Sequence, residues 1–251
     1  SVTVVEGTPA PINTLPDAQT LNENTNLTFS SAAGNAMSVD DTDTATLQVR
    51  LQASDGTLTL SGIVNLSLTE GDGTANVAMT FSGAKADLNN ALDGLVYEPT
   101  ADMIGDVTIT VTTTETGVGT QSATDTLTIT VIDVNDPPAN VVPSSQSIVE
   151  DTPFTFSIGK TLSVSDPDED AASGNLTVSL QVNDGLLSLS GTVGLSFTTG
   201  DGTEDASLVF SGSPDSINTA LNGMIYKPDQ DFNGLSTMTL ATTDTGDVGT
   251  G

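Results

Sequence analysis

The sequence contains no cysteine, histidine or tryptophan. Because histidine is absent, neither a Ser-His-Asp nor a Cys-His arrangement for nucleophilic catalysis can form. The lack of cysteine and histidine also removes the ligands on which most zinc and copper sites depend. Disulfides are impossible; secreted proteins often use them, but a large one can be rigidified by calcium instead. These absences predict a protein that is not an enzyme.

Basic residues are scarce as well. Lys and Arg number 4 against 33 Asp and Glu, which leaves a net charge of −29 over 251 residues. Nucleic acids and anionic membranes bind clustered basic side chains, so neither is an expected partner. No stretch approaches the roughly 20 consecutive apolar residues of a membrane helix, so membrane insertion is not expected. So large a charge of one sign repels itself unless cations offset it.

The sequence consists of two copies of one unit. Residue 150 matches residue 23 and residue 184 matches residue 55, so the copies are offset by 127 to 129 positions. The matching blocks are 23–29 with 150–156, 51–58 with 180–187, 71–74 with 200–203, 81–83 with 210–212, and 91–97 with 220–226. Blocks that keep one order at nearly one offset indicate tandem repeats.

The repeat predicts two domains, residues 1–136 and 137–251. Residues 1–11 match the tail of a preceding repeat, and the second copy lacks the equivalent of the last strand predicted in the first. We therefore expect the chain to be a fragment of a longer array. A sheet that lacks its last strand has an open edge, and residues 1–6 of a neighbouring molecule are one candidate to fill it.

Short runs in which β-branched and polar residues alternate occur in both copies. The period-two pattern of half-buried strands is clearest at 47–51, 57–60 and 107–111. Asp-Gly pairs predict hairpin turns because both residues tolerate a positive φ; these pairs are 55–56, 72–73, 184–185 and 201–202. Many short strands with frequent turns are typical of an antiparallel sandwich. The predicted fold is all-β, with two tandem antiparallel β-sandwiches.

One segment in each copy has a helical pattern instead. In the second copy Ser213 suits the N-cap, Pro214 suits the first helical position, and Gly223 can end the helix with a positive φ. The apolar residues at the spacing of one helix face are Ile217, Ala220 and Leu221, with counterparts Leu88, Ala91 and Leu92. Each sandwich is therefore expected to carry one short helix.

The link between the copies is rich in oxygen ligands. Residues 133–138 (DVNDPP) place two carboxylates and an amide before two prolines, directly after the predicted strand 126–131. Calcium takes 6–8 hard oxygen ligands in loose geometry, and mixed carboxylate, amide and carbonyl ligands suit it. The segment therefore predicts a stiff joint that binds a hard cation.

Residues 123–138 resemble the last strand and linker of a cadherin repeat. The two-copy pattern is similar to the cadherin-like tandem repeats of large bacterial surface adhesins, which are extracellular β-sandwiches, often stiffened by calcium. The resemblance covers nearly all of the chain as a pattern. It is specific at the linker 133–137, at Asp166-Pro167-Asp168 followed by Asn175, and at Thr243-Asp244-Thr245-Gly246. It implies cadherin- or immunoglobulin-like sandwiches, a location on the bacterial cell surface and a role in cell adhesion.

The resemblance also implies Ca2+ between the copies. In the cadherin pattern, a strand-A Glu and linker residues join an Asp-x-Asp, a later Asn and a further Asp from the next repeat. Carried over by position, the ligands are Glu23, Asp133, Asn135, Asp136, Asp166, Asp168, Asn175 (through its backbone carbonyl) and Asp244. Cadherins add an Asp-x-Glu for which this sequence offers only Glu70, Asp72 and Asp93 as candidates. Its absence lowers the expected number of ions.

The N-terminal tip departs from the same pattern. Residues 6–9 (EGTP) stand where 133–136 (DVND) stands at the linker, so the Asn and the second Asp are missing. Asp41, Asp43 and Glu115 remain at that end, which predicts a weak or empty site.

The residues favour a calcium-rigidified structural repeat of an extracellular adhesin. Its expected partners are calcium, neighbouring repeats of the same chain, and a cell-surface protein or glycan, or other copies through self-association. The alternative is a calcium-dependent module that binds carbohydrate or protein. Paired carboxylates could in principle cleave glycosides, but both copies carry similar acids on turns, as repeats do. Tyr97 and Tyr226 occupy equivalent places beside core strands, which indicates packing rather than sugar stacking.

Overall fold

The computed structural model describes residues 9–117, 120–169 and 174–244. Within it the chain divides into two compact units, one ending at Val134 and the other beginning at Asn135. Most of the predicted tail of a preceding repeat, 1–11, lies outside the described residues, as do Thr245 and Gly246 of the last specific motif.

The first unit consists of eleven described strands and one helix. Its elements are β1 (Ile12–Thr14), β2 (Gln19–Asn22), β3 (Leu27–Phe29), β4 (Ser38–Asp40), β5 (Thr46–Ala53), β6 (Thr57–Thr59), β7 (Ser67–Glu70), β8 (Ala78–Ala84), α1 (Lys85–Leu92), β9 (Leu95–Glu98), β10 (Gly105–Glu115) and β11 (Ser122–Ile132).

Three sheets surround the core of the first unit. The largest has the order β2-β11-β10-β5-β8-β7, and the smaller ones are β3-β9-β6 and β1-β4. Every second residue of β10 from Val107 to Glu115 is buried, while the threonines between them are half-exposed. Successive side chains of a strand point to opposite faces, so this alternation directs valine and isoleucine into one core with Phe81, Leu58 and Leu95.

The second unit repeats this arrangement with nine described strands and one helix. Its elements are β12 (Ala139–Val141), β13 (Phe154–Thr155), β14 (Ser163–Ser165), β15 (Leu176–Val182), β16 (Gly185–Ser188), β17 (Ser196–Thr199), β18 (Ser207–Gly212), α2 (Pro214–Leu221), β19 (Ile225–Pro228) and β20 (Met238–Thr243). The sheets have the orders β17-β18-β15-β20, β13-β19-β16 and β12-β14.

The predicted fold class is confirmed: both units are β-sandwiches and each contains one short helix. Ser213 caps α2 by accepting a hydrogen bond from the Ser216 N–H at 3.3 Å, and Pro214 occupies its first turn. One feature differs from a purely antiparallel sandwich, because β2 pairs with β11 in parallel, with Asn22 opposite Ile132. This parallel pairing places the C-terminal ends of β2 and β11 side by side.

The Asp-Gly pairs belong to two kinds of connection. Pairs 72–73 and 201–202 connect antiparallel neighbours, β7 to β8 and β17 to β18, as hairpin turns do. Pair 55–56 instead joins β5 to β6, which lie in different sheets, so the hairpin prediction is wrong there and at 184–185. The glycine of pair 55–56 has a φ of +73°, and a Cβ on it would lie 2.3 Å from the Glu98 carbonyl oxygen. Glycine is required there because the chain passes close to β9.

Both helices of the described residues are eight residues long. Neither is long and apolar enough to cross a membrane.

Candidate metal centres

In the first unit, the parallel pairing of β2 with β11 brings two predicted ligands to one end of a sheet. Parallel neighbours end side by side, so Glu23 follows β2 where Asp133 follows β11. The Glu23 N–H donates to the Ile132 carbonyl at 2.9 Å, and the Val134 N–H donates to Glu23 Oε1 at 2.8 Å. Glu23 is only 3% exposed. Both carboxylate oxygens of Asp133 are buried and accept no hydrogen bond in the described part of the chain.

In the second unit, the carboxylates of Asp244, Asp168 and Asp166 each accept a hydrogen bond from a neighbouring predicted ligand. Asn135 Nδ2 donates to Asp244 Oδ2 at 3.5 Å, the Asp136 N–H donates to Asp168 Oδ2, and the Asp168 N–H donates to Asp166 Oδ1 at 3.0 Å. Asp166 follows β14 directly and Asp244 follows β20. Among the described residues, Asn135 Oδ1 and Asp166 Oδ2 are buried and have no hydrogen-bond partner.

Asn175 lies beside this group. Its N–H donates to Glu169 Oε2 at 2.8 Å, and Glu169 follows Asp168 in the chain. The described contacts therefore attach Asn175 to the acidic loop through its backbone N–H. Coordination through its carbonyl oxygen stays a prediction.

The electrostatic environment of Asp166 is unfavourable for a negative charge. Burial raises the pKa of its carboxyl group, and the neighbouring carboxylates of Asp168, Asp244 and Glu169 raise it further. The Asp168 N–H acts in the opposite direction and does not compensate. A carboxylate in such surroundings either takes up a proton or needs a nearby cation.

The chain's own basic side chains do not supply that cation. Three form ion pairs elsewhere: Arg50 with Glu70 at 3.0 Å, Lys85 with Asp40 at 2.9 Å and Lys227 with Glu204 at 2.7 Å. The fourth, Lys160, lies 5.2 Å from the centre of the Phe154 ring. Buried charges without partners are costly, so the orphaned oxygens of Asp133 and Asp166 fit a cation from solution. Their hard oxygen chemistry suits calcium.

A further carboxylate cluster lies entirely within the first unit. Single carboxylate oxygens of Asp41, Asp43 and Glu115 all lie within 4.8 Å of one another. Asp41 is 2% exposed and Glu115 is 6% exposed. Asp41 Oδ2 and Glu115 Oε1 are buried and have no partner in the described residues. The other oxygens are held in place, because Asp41 Oδ1 accepts from Thr44 N at 2.7 Å and Glu115 Oε2 accepts from Gln121 N at 3.0 Å.

Like charges are concentrated in this cluster. The pKa of Asp43 is raised, first by a hydrogen bond between its carboxyl group and that of Asp41, then by partial desolvation and by the charges of Asp41 and Glu115. The sequence contains a signal for the cluster, because Asp41-x-Asp43 matches Asp166-x-Asp168 and Glu115 stands where Asp244 stands. The sequence does not show that the carboxylates of Asp41 and Glu115 are buried and that each has one oxygen without a hydrogen-bond partner among the described residues.

The three candidates for a further Asp-x-Glu have local contacts of their own. Glu70 accepts from Thr80 Oγ1 at 2.7 Å and pairs with Arg50. Asp72 Oδ1 accepts from the Thr74 N–H at 2.9 Å within the turn that follows β7. Asp93 accepts from both the N–H and the Oγ of Ser31. Local hydrogen bonds therefore account for all three carboxylates.

No protein-family model matches the sequence. No curated protein matches it either. Solved structures similar to this chain include mouse cadherin-23 EC22-24, at 12% identity, 94% coverage of this chain, 66% coverage of that chain and a TM-score of 0.28. Protocadherin Gamma B2 extracellular cadherin domains 3-6 match at 14% identity, 95% and 53% coverage, and a TM-score of 0.28.

A bacterial structure is similar to the same degree. The C-terminal domain of the Streptococcus pyogenes antigen I/II-family protein AspA matches at 11% identity, with 96% coverage of both chains and a TM-score of 0.28. The present chain spans between half and two thirds of the length of the cadherin structures. We therefore base the functional proposal on the carboxylates of this chain.

Proposed function

We propose that the chain is a structural segment of an extracellular adhesin of the bacterial surface, in which bound calcium stiffens the linker between two β-sandwiches. One observation carries the proposal. Within the part of the chain that the structure describes, oxygens of Asp133 and Asp166 are buried without hydrogen-bond donors, while all four basic side chains have partners elsewhere. A divalent cation removes this conflict, and calcium is the one that flexible oxygen-rich sites of extracellular modules bind.

Two sets of residues would hold the ion. Glu23 and Asp133 form the set from the first unit, and the set from the second unit is Asn135, Asp136, Asp166, Asp168, Asp244 and the carbonyl of Asn175. Only Val134 separates Asp133 from Asn135 in the chain. An ion bound by both sets would therefore restrain the backbone of the linker, to which Pro137 and Pro138 already lend stiffness.

The cluster of Asp41, Asp43 and Glu115 is a second, weaker position in this proposal. It offers three carboxylates and lacks the amide and linker ligands of the first position. Asp43 is exposed, so water competes there for the ion and part of the electrostatic attraction is screened. We expect this position to fill only at higher calcium concentration.

Stiffening suits a segment that spaces or presents an adhesive end. Extracellular modules bind calcium with dissociation constants of roughly 10⁻⁴–10⁻³ M, so such a segment is rigid outside the cell and loses rigidity when calcium is removed. The same cation would also offset part of the net charge of −29.

Calcium titration by calorimetry tests the proposal. We expect saturable binding with a dissociation constant of roughly 10⁻⁴–10⁻³ M. Binding at about 100 times that constant should stabilise the protein by about 2.7 kcal/mol, which corresponds to a rise in Tm of roughly 10 °C. Asp136→Ala and Asp166→Asn should each weaken the tighter binding by about 10-fold or more, because each removes a charged ligand.

Asp229→Asn is the matched control, because Asp229 is exposed and belongs to neither set. It removes the same charge and should leave the tighter binding unchanged. An equal loss of affinity in Asp229→Asn would mean that calcium responds to the overall charge alone. Absence of saturable binding at millimolar calcium, with an unchanged Tm, would contradict the proposal altogether.

A further inference from the structure

A lysine lies beside the carboxylate cluster of the first unit. Lys85 Nζ donates a hydrogen bond to the backbone carbonyl of Asp41 and forms an ion pair with Asp40 Oδ1 at 2.9 Å. The Lys85 side chain is 30% exposed, whereas that of Asp40 is 72% exposed. The ammonium group is therefore held against Asp41, which is the most deeply buried residue of the cluster.

The requirements of the helix do not account for this lysine. Lys85 is the first residue of α1, where the partial positive charge of the helix end disfavours a basic side chain. Pro214 holds the same place in α2, and proline suits a first helical position. A basic residue at position 85 is better explained by its contacts with Asp40 and Asp41.

The sequence of the second unit has no equivalent of this ion pair. In each unit an asparagine of the helix accepts a hydrogen bond at 2.8 Å from the same N–H of a strand, which aligns β4 and α1 with β14 and α2. In this alignment Ser165 and Pro214 take the places of Asp40 and Lys85. Asp166 therefore has no lysine at the position equivalent to 85.

The lysine leaves the candidate ligand oxygens free. Its contact is with the Asp41 carbonyl, while Asp41 Oδ2 and Glu115 Oε1 stay buried without a hydrogen-bond partner among the described residues. The ammonium group therefore acts on the cluster through its charge. It attracts the carboxylates and repels a second cation, and both effects are strong because the groups are close together and partly shielded from water.

We propose that Lys85 supplies a fixed positive charge that weakens calcium binding by Asp41, Asp43 and Glu115, so that the two calcium positions fill at different concentrations. Lys85 is thus a determinant of affinity within the proposed function, on which this inference rests. Without calcium, its charge offsets part of the repulsion inside the cluster. As the calcium concentration falls, the cluster loses its ion first, while the position at the linker keeps its own.

Calcium titration of the whole chain by calorimetry tests this role. In Lys85→Gln, which keeps a hydrogen-bond donor and removes the charge, the weaker binding should tighten by about 10-fold, because a positive charge close to the ion is lost. The tighter binding should be unchanged. If the weaker position of the unaltered chain does not fill at millimolar calcium, a second binding step should appear in Lys85→Gln.

Asp40→Asn should have the opposite effect. It removes the ion-pair partner of Lys85 and leaves that positive charge uncompensated. The weaker binding should therefore loosen further, by about 2- to 3-fold, since Asp40 is largely exposed and its charge is screened. This variant keeps the lysine, so it tests the sign of the effect without any change at position 85.

Two variants are controls. Lys85→Arg keeps the charge, so it should bind calcium like the unaltered chain. Lys227→Gln removes the same charge from an exposed ion pair with Glu204 in the second unit and should leave both binding steps unchanged. Equal tightening in Lys227→Gln would show that the overall net charge, rather than the position of Lys85, is the cause.

The outcomes separate the role of Lys85 from the proposed function. Absence of saturable calcium binding in every variant would contradict the proposed function itself. Normal tighter binding, together with weaker binding that is unchanged or loosened in Lys85→Gln, would overturn the role of Lys85 alone. Tighter binding at the weaker position in Asp40→Asn would overturn it as well, because the effect would have the wrong sign.

Discussion

Two aspartates, one directly after a strand and one directly after a helix, show how the surroundings of a carboxyl group decide its pKa. Asp166 follows β14, where burial and three carboxylates raise its pKa. Asp93 follows α1, where the pKa is lowered because Ser31 Oγ and the Ser31 N–H donate to its carboxylate at 2.7 Å and 2.8 Å. The first carboxylate fits a cation from solution, while the second is satisfied by the chain.

The lowered pKa of Asp93 predicts a pH-dependent contribution to stability. A depressed folded-state pKa stabilises the fold at pH values above the unfolded value, about 3.9 for Asp, and this contribution disappears as the pH falls through the folded-state value. Asp93→Asn should therefore lower the free energy of unfolding at about pH 7 and have little effect at about pH 3. Urea denaturation at both pH values measures the difference.

Ser31→Ala provides the control for this pair. It removes the hydroxyl donor and keeps the backbone donor, so it should cause part of the same loss at neutral pH. A loss in Asp93→Asn that is equally large at both pH values would show that the carboxylate charge is not the cause.

At the scale of elements, the two helices occupy equivalent places but begin differently. Ser213 caps α2 through its side chain, whereas Ala84 at the same position of α1 offers no side-chain acceptor. The backbone is nearly the same at both positions, with φ and ψ of −64° and 150° at Ser213 and −66° and 146° at Ala84. A serine at position 84 should therefore be able to cap α1 as Ser213 caps α2.

Exchange of the caps gives opposite expected effects. Ser213→Ala should lower the free energy of unfolding by about 1 kcal/mol, because it leaves the first N–H groups of α2 without a side-chain acceptor. Ala84→Ser should raise it by an amount of the same order, about 0.5–1 kcal/mol. Chemical denaturation measures both. Destabilisation by Ala84→Ser would show that the first turn of α1 cannot accept a capped geometry.

At the scale of the whole molecule, the dominant property is a net charge of −29. Three ion pairs in the described residues engage only Arg50, Lys85 and Lys227. Most carboxylates therefore repel one another without a basic partner. Self-repulsion of this size weakens the compact state, and mobile ions screen it.

Screening predicts that salt stabilises the metal-free protein. In the presence of a chelator, the Tm should rise steadily as NaCl increases from about 0.02 M to about 0.5 M, because the Debye length shortens over this range. Calcium at constant ionic strength should raise the Tm beyond the value that salt alone reaches, since it binds specific oxygens. Thermal melting followed by circular dichroism measures both effects. A Tm that is independent of NaCl would contradict the role given to self-repulsion.

Much of the fold could be predicted because it depends on local patterns. Alternation in 107–111 indicated a strand, and β10 is that strand; Ser213, Pro214 and the spacing of Ile217 and Leu221 indicated a helix, and α2 is that helix. The hairpin predicted at 55–56 is wrong, because a positive φ is compatible both with a hairpin turn and with a connection between two sheets. Only the partners of β5 and β6 distinguish the two.

The types of candidate ligand could be predicted from the sequence, because without Cys and His only oxygen atoms remain to bind a metal. The repeat also shows which acidic residues occupy equivalent positions in the two copies. Only the tertiary structure decided which of those oxygens are buried without a donor. Asp41 and Glu115 lie 74 positions apart, and their carboxylates approach because β10 brings Glu115 to the end of its sheet. Burial and pairing depend on such distant neighbours, whereas strand period, helix caps and residue chemistry are set within a few positions of the chain.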